Sequence, residues 1–235
     1  MKCKDIQVDI LAIIPARGGS KGVPNKNLRR LNNKPLIAHS IGHALASSLV
    51  NRVVVSTDSE EIASTSKRLG AEVIVRPEEI SGDTASSESA LLHALDYLKQ
   101  KENYRPDIVV FLQCTSPIRA ADDIDKAIGK LTSGNADSLL SVAPSHRFLW
   151  TVDSGEAKPL NYDYMNRQRR QDMRPQYVEN GSIYVSKTWV LEKTHNRLGG
   201  KVALHVMSDE SAWEIDSLFD FSIVEQVMVS AGKEK

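Results

Sequence analysis

Between Ile13 and Asn27 the chain reads Ile-Ile-Pro-Ala-Arg-Gly-Gly-Ser-Lys-Gly-Val-Pro-Asn-Lys-Asn, the end of an apolar strand running into a loop of small residues and cations. Glycine lets backbone N–H groups approach anionic oxygens closely, and Arg17, Lys21 and Lys26 add positive charge beside them. The chemistry such a loop serves is the holding of a polyphosphate. Two common phosphate fingerprints do not fit: there is no G-x-G-x-x-G, and the spacing departs from G-x-x-x-x-G-K-[ST]. A simple Rossmann dinucleotide site and a P-loop are therefore set aside.

A second chemical candidate lies near the other end of the chain. Trp213-Glu214-Ile215-Asp216 carries two hard oxygen donors. Mg2+ is usually bound by one or two carboxylates, with phosphate oxygens and water completing its octahedron. On an extended segment residues two apart share a face, so Glu214 and Asp216 could point together at one ion, Asp216 being the first choice. Asp58 could approach a nucleotide or metal, but with Glu61 it reads first as a capping box at the start of a helix. His39 and His43 stand four apart, but no glutamate follows His39 as in H-E-x-x-H, and the three tryptophans are too dispersed for a nucleic-acid stacking platform.

The elements that must position these groups follow from hydrophobic periodicity. Apolar runs at 10–14, 53–55, 73–75 and 108–112 predict buried strands rich in β-branched residues. Between them, Leu36, Ile37, Ile41, Ala44, Leu45 and Leu49 form a helical stripe, as do Ile62, Ala63 and Leu69, and then Ala90, Leu91, Ala94, Leu95 and Leu98. Such alternation predicts an α/β fold, a Rossmann-like, mostly parallel sheet with helices on both faces and a ligand site beyond the carboxyl ends of its strands. The glycine loop, Asp58, Arg76 and Gln113 all fall near such ends. After Ser141 the pattern changes: residues 144–180 hold three prolines, several aromatics and Arg167-Gln168-Arg169-Arg170, which reads as a small lobe leaving the main sheet. Strand, helix, strand and helix return at 182–185, 187–193, 202–206 and 218–229. One domain over 1–235 is expected, with 144–180 as its excursion.

The 30 basic and 30 acidic residues cancel, so no global field favours nucleic acid. Two cysteines far apart build no disulfide framework, and the apolar segment before Pro15 falls well short of the ~20 residues that cross a bilayer. A cytoplasmic protein without a membrane partner is the expectation.

The loop also carries a resemblance. Ile-Pro-Ala-Arg-Gly-Gly-Ser-Lys-Gly with Lys26-Asn27 resembles the nucleotide-binding signature of the CMP-sialic acid synthetases, or N-acylneuraminate cytidylyltransferases. Asp58 in Val-Ser-Thr-Asp, Arg76-Pro77, Asp83-Thr84-Ala85-Ser86-Ser87, Gln113-Cys114-Thr115-Ser116-Pro117, Arg170-Gln171, Asn180-Gly181 and Ile215-Asp216 resemble that family's later motifs in the same order, over about residues 8 to 230. The resemblance implies a nucleotidyltransferase that couples CTP to a nonulosonic acid, gives the CMP-sugar and pyrophosphate, and needs Mg2+. N-acetylneuraminate is the first acid, with legionaminate, pseudaminate or another keto sugar acid, or a guanylyl donor, as alternatives.

By the same resemblance, Ala16, Arg17, Gly18, Ser20, Lys21, Asn27, Arg76 and Ser87 are nucleotide-binding, and Arg17, Lys21 and Asp216 catalytic. Gln113, Arg170, Asn180 and Gly181 serve the acceptor. An amide both donates and accepts, which suits an acylamino sugar at Gln113; Arg170 can grip the substrate carboxylate or a phosphate bidentately, and Asn180-Gly181 can present donors. Glu214 departs from the family's commoner Asp-Ile-Asp, its carboxylate one C–C bond (~1.5 Å) further out. The family's 144–180 region contributes to a dimer, so a homodimer is implied. A rival of another class is a non-catalytic nucleotide-binding protein.

Overall fold

The computed structural model describes residues 8–20 and 22–233. Strand β1 (Ile10–Pro15) opens into the glycine loop, a 3-10 turn at Lys26–Leu28 and a short hairpin, β2 (Arg30–Leu31) with β3 (Lys34–Pro35), before helix α1 (Leu36–Ala46). Then come β4 (Arg52–Thr57), α2 (Glu60–Arg68), β5 (Glu72–Val75), α3 (Ser87–Glu102), β6 (Ile108–Leu112), α4 (Asp123–Ser133) and β7 (Ser138–Ser145). An outlying hairpin of β8 (Trp150–Asp153) and β9 (Glu156–Pro159) precedes the long β10 (Gln176–Lys187), α5 (Thr188–Thr194), β11 (Val202–Val206) and α6 (Leu218–Lys233).

The main sheet has the order β11-β7-β10-β6-β1-β4-β5. All its pairings are parallel except those of β10, which runs antiparallel to both β6 and β7. This is the mostly parallel α/β sheet that the periodicity predicts. Alternate side chains of β1 feed two apolar layers: Ile10, Ala12 and Ile14 join α1, α4 and α6 on one face, and Leu11 and Ile13 join α3 and α5 on the other. Because both faces are covered, the central strands are continuous apolar runs without polar alternation.

Two elements exceed the sequence expectation. Helix α4 buries Ile124, Ala127, Ile128 and Leu131 on one stripe, and β7 continues through Ser145 in register with Gln176–Glu179 of β10. Residues 144 and 145 and 176–179 therefore belong to the main sheet. Between them lie the β8–β9 hairpin and a 3-10 turn at Arg170–Asp172, here termed the arm. Strand β10 shifts register between Glu179 and Tyr184, at Gly181, whose φ of +62° is a left-handed conformation that favours glycine.

The capping box expected at Asp58 and Glu61 is displaced by one residue. Ser59 is the N-cap of α2, its hydroxyl accepting from the Ile62 N–H at 3.4 Å, and Asp58 is thereby released for another partner. No helix among the described residues is long and apolar enough to cross a membrane.

Candidate active site

The ends of β1, β4, β5 and β6 deliver Ala16, Asp58, Arg76 and Gln113 to one edge of the sheet. There a cleft of about 510 Å³ opens, lined among others by Arg17, Ser20, Lys26, Arg76, Gln113 and Asp216. Asn27, Ser86, Ser87 and Phe111 complete much of its wall.

The glycine loop is held by its neighbours. Ala16 N–H donates to Ser56 O at 2.9 Å, and Gly18 N–H donates to Asp58 Oδ1 at 2.9 Å. The Asn27 amide donates to Arg17 O at 3.1 Å, so this buried side chain shapes the loop from behind. Arg17 reaches across the cleft mouth, its Nη1 donating to Gly82 O at 2.9 Å and pairing with Asp83 Oδ1 at 3.0 Å. Arg76 is buried, with Nη2 donating to Ser56 O at 2.7 Å and Nε to Ser56 Oγ at 3.2 Å. Burial draws its pKa down, partly opposed by Asp58. The amino-terminal turn of α3 adds Ser86, whose hydroxyl caps the helix by accepting from Ser89 N–H, and Ser87. Helix N-termini favour anions.

Across the cleft, Lys26 Nζ donates to Ile215 O at 2.8 Å and pairs with Asp216 Oδ1 at 3.0 Å, tying the glycine loop to the acidic segment. That segment is not a strand but irregular backbone fixed by Ile215 N–H donating to Thr115 O at 2.8 Å. Gly22 lets it approach: a Cβ there would stand 2.7 Å from Asp216 O. Asp216 faces the cleft with its side chain 76 % exposed. Glu214 is half-buried beside Ser116, and burial together with the Asp216 charge raises its pKa. Asp216 on the cleft and Glu214 beside it form a pair of hard oxygen donors, and no group of three or more acidic, cysteine or histidine ligands is gathered among the described residues; such a donor set suits an ion that completes its shell with phosphate and water.

With the geometry in place, the sequence comparison is decisive: residues 11–204 match the family model described as Cytidylyltransferase. The chain belongs to the cytidylyltransferase family.

Relatives of this cytidylyltransferase include the "Post-translational flagellin modification protein B" of Campylobacter coli, 35% identical over 92% of this chain and 94% of that protein. They also include "N-acylneuraminate cytidylyltransferase A" of Danio rerio, 36% identical over 95% of this chain and 51% of its own length. The N-acylneuraminate cytidylyltransferase of Escherichia coli O18:K1:H7 is 32% identical over 98% of this chain and 54% of its length. The chain thus spans about half the length of these two cytidylyltransferases. Among solved structures, a CMP:2-keto-3-deoxy-manno-octonic acid synthetase complexed with CTP superposes with a TM-score of 0.70 at 17% identity, covering 95% of this chain and 99% of that one. A 4-diphosphocytidyl-2C-methyl-D-erythritol synthase gives 0.69 at 12%, covering 95% and 99%. These two likenesses concern the fold.

In this cytidylyltransferase the residues singled out from sequence do not all converge. Arg17, Ser20, Asn27, Arg76, Ser87, Gln113 and Asp216 line the cleft; Ala16 and Gly18 frame it through their backbone bonds. Lys21 lies outside the described residues. Asn180 presents no free amide: its Oδ1 accepts from Ser141 Oγ at 2.6 Å and its Nδ2 donates to Ser211 Oγ at 2.9 Å, with the whole residue buried. Gly181 borders Gln113 and Glu214, since a methyl there would collide with Glu214 Oε1 and stand 3.0 Å from Gln113 Oε1. Arg170 is exposed on the arm and does not line the cleft. Lys26, read from sequence only as local charge, is the link between both halves of the site. Asp58, read as a cap, anchors the loop through a bond spanning 40 residues.

Proposed function

We propose that this chain transfers the cytidylyl group of CTP to a nonulosonic, sialic-type acid, forming the CMP-sugar and releasing pyrophosphate, with N-acetylneuraminate as the foremost acceptor. The observation that carries this reading is one cleft joining a glycine and arginine loop to Gln113 and to Asp216, in a cytidylyltransferase with named N-acylneuraminate cytidylyltransferases among its relatives. The acceptor hydroxyl attacks the α-phosphorus, an O–P bond forms, and the bond to the pyrophosphate oxygen breaks. No covalent enzyme intermediate is required; positioning and charge neutralisation supply the rate.

Arg17 and Lys26 offset charge on the departing pyrophosphate by exchanging Asp83 and Asp216 for phosphate oxygens, and Lys21 joins them on the strength of the sequence alone. Arg76 and the α3 turn at Ser86 and Ser87 hold the nucleoside end, and Gln113 with the Gly181 backbone receives the acid. Asp216, with Glu214 beside it, would hold Mg2+, which when bound supplies Lewis-acid neutralisation of phosphoryl oxygens. Asp216→Ala should lower turnover at least 100-fold with Tm little changed. Undiminished turnover would remove Asp216 from the mechanism.

The arm supports a homodimer. It exposes Val152, Leu160, Tyr164 and Met165, each more than half accessible, and Arg170 projects from the same region toward the cleft of a second copy in this reading. The cytoplasm is the compartment proposed with it. A second reading takes legionaminate, pseudaminate or another keto sugar acid as acceptor; the relative matched over 94% of its own length is named for flagellin modification, and this favours it.

The deciding experiment is pyrophosphate release by purified protein with Mg2+, each of CTP, GTP, UTP and ATP, and a panel of nonulosonic acids. CTP-dependent release with N-acetylneuraminate is expected. Release with a different acid selects the second reading, and silence with every acid while CTP still binds would overturn the catalytic assignment.

A further inference from the structure

Arg119 is a buried arginine that forms no ion pair among the described residues, although the charge of Asp123 is felt there. Its Nη2 donates to two carbonyls, Gln113 O and Ser182 O, both at 2.8 Å, and its Nη1 donates to Ser40 Oγ at 3.1 Å. Ser40 Oγ in turn donates to the same Gln113 O at 3.3 Å. Nε is buried without a partner. A buried cation that leaves one donor unmet is held against a considerable desolvation penalty, and burial draws this guanidinium down to about 10. Such a group calls for a reason beyond packing.

The reason lies in what the two carbonyls belong to. The β6–β10 ladder ends at the pair Leu112 and Ile183. Gln113 and Ser182 are the next residue on each strand, and there the ladder gives way to a guanidinium nitrogen that bridges the two chains. Past that bridge Gln113 lines the cleft, and Gly181 leaves the space that Glu214 Oε1 and Gln113 Oε1 occupy. Ser40 brings in α1 as a third support.

We propose that Arg119 is a positioning residue for the acceptor subsite, setting the separation of Gln113 from the Gly181 turn without touching either substrate. This inference rests on the cytidylyltransferase reading given above. A lysine ammonium offers no planar fork, so it can keep the carbonyls bridged only while losing Ser40. A displacement of about 1 Å at a substrate-holding group can change rates by as much as about 100-fold.

The test measures KM for the acid and for CTP separately, with kcat and Tm, in the wild type, Arg119→Lys, Arg119→Met and Ser40→Ala. Arg119→Met should raise the acceptor KM by about 10-fold or more and Arg119→Lys by less, with the CTP KM within about 2-fold of wild type. Ser40→Ala, the milder change, should shift the acceptor KM in the same direction and keeps the question answerable should Arg119→Met fail to fold. Equal rises in both KM values, or a fall in Tm with both KM values unchanged, would overturn the inference. A wild type inactive with every acid would sink the functional reading, a result plainly different from a wild type that turns over while Arg119→Lys and Ser40→Ala bind the acid unaltered.

Discussion

At Gly181 the absence of a methyl group makes room for three polar side chains. Its left-handed φ and the contacts that a Cβ would make with Glu214, Gln113 and Ser116 act together, so Gly181→Ala should destabilise the fold by about 1–3 kcal/mol and lower turnover. Denaturant midpoints check this, and truncating Glu214 to alanine in the same chain should recover part of the loss by clearing the nearest clash. Glu214 itself gives a pH prediction. Its folded-state pKa lies above its ordinary value near 4.5, so the native state binds more protons than the unfolded chain from that value upward. Its contribution to stability is full below pH 4.5 and is lost as pH rises through the folded pKa. Glu214→Gln should therefore gain Tm over wild type near pH 7 more than near pH 4, in metal-free buffer; an equal difference at both pH values would contradict the shift. Asn180 shows why residue roles are hard to read from a chain alone: its partners Ser141 and Ser211 are 39 and 31 positions away, and only their convergence turns an apparent ligand into an internal brace.

Helices α2 and α3 form a natural pair for comparison at the scale of elements. Both carry a serine N-cap, Ser59 and Ser86, but only the α3 cap lines the cleft. Ser59→Ala and Ser86→Ala should each cost about 1 kcal/mol. The second should also raise the CTP KM, which steady-state kinetics would show, while the first leaves it alone. The one-residue offset between the expected and observed cap of α2 has a simple cause, since aspartate and serine are nearly equal as caps. Asp58 is drawn away by the Gly18 N–H. Strand β7 escaped the sequence pattern because serines at 138 and 141 and Pro144 interrupt its apolar run, although Ile124, Ala127, Ile128 and Leu131 of α4 do form a legible stripe. On the arm, replacing Val152 and Met165 by glutamate should convert a dimer to monomer by light scattering; an unchanged mass would detach the arm from assembly.

For the whole molecule, the central strands and the helices between them were legible because burial on both faces leaves a continuous apolar signature. The side of the sheet that carries the site was legible as well, because ligands collect beyond the carboxyl ends of parallel strands. What stayed hidden was long-range: the Lys26 link to Asp216 spans 190 residues, and Arg119 reaches a strand carbonyl, Ser182 O, 63 residues away. Neither leaves a periodic trace.

Strand β10 has a mechanical implication. Its first residues, 176–179, pair with β7 next to the arm, and its last, 183–187, lie in the centre of the sheet beside β6, with Asn180, Gly181 and Ser182 between them. The arm's anchor and the cleft wall beside Gln113 are thus two stretches of a single covalent strand whose register shift is braced by Asn180 and Ser182. A load applied to the arm would reach the cleft wall at Gly181 through backbone alone, making β10 a transmission shaft from the outer surface to the neighbourhood of Gln113.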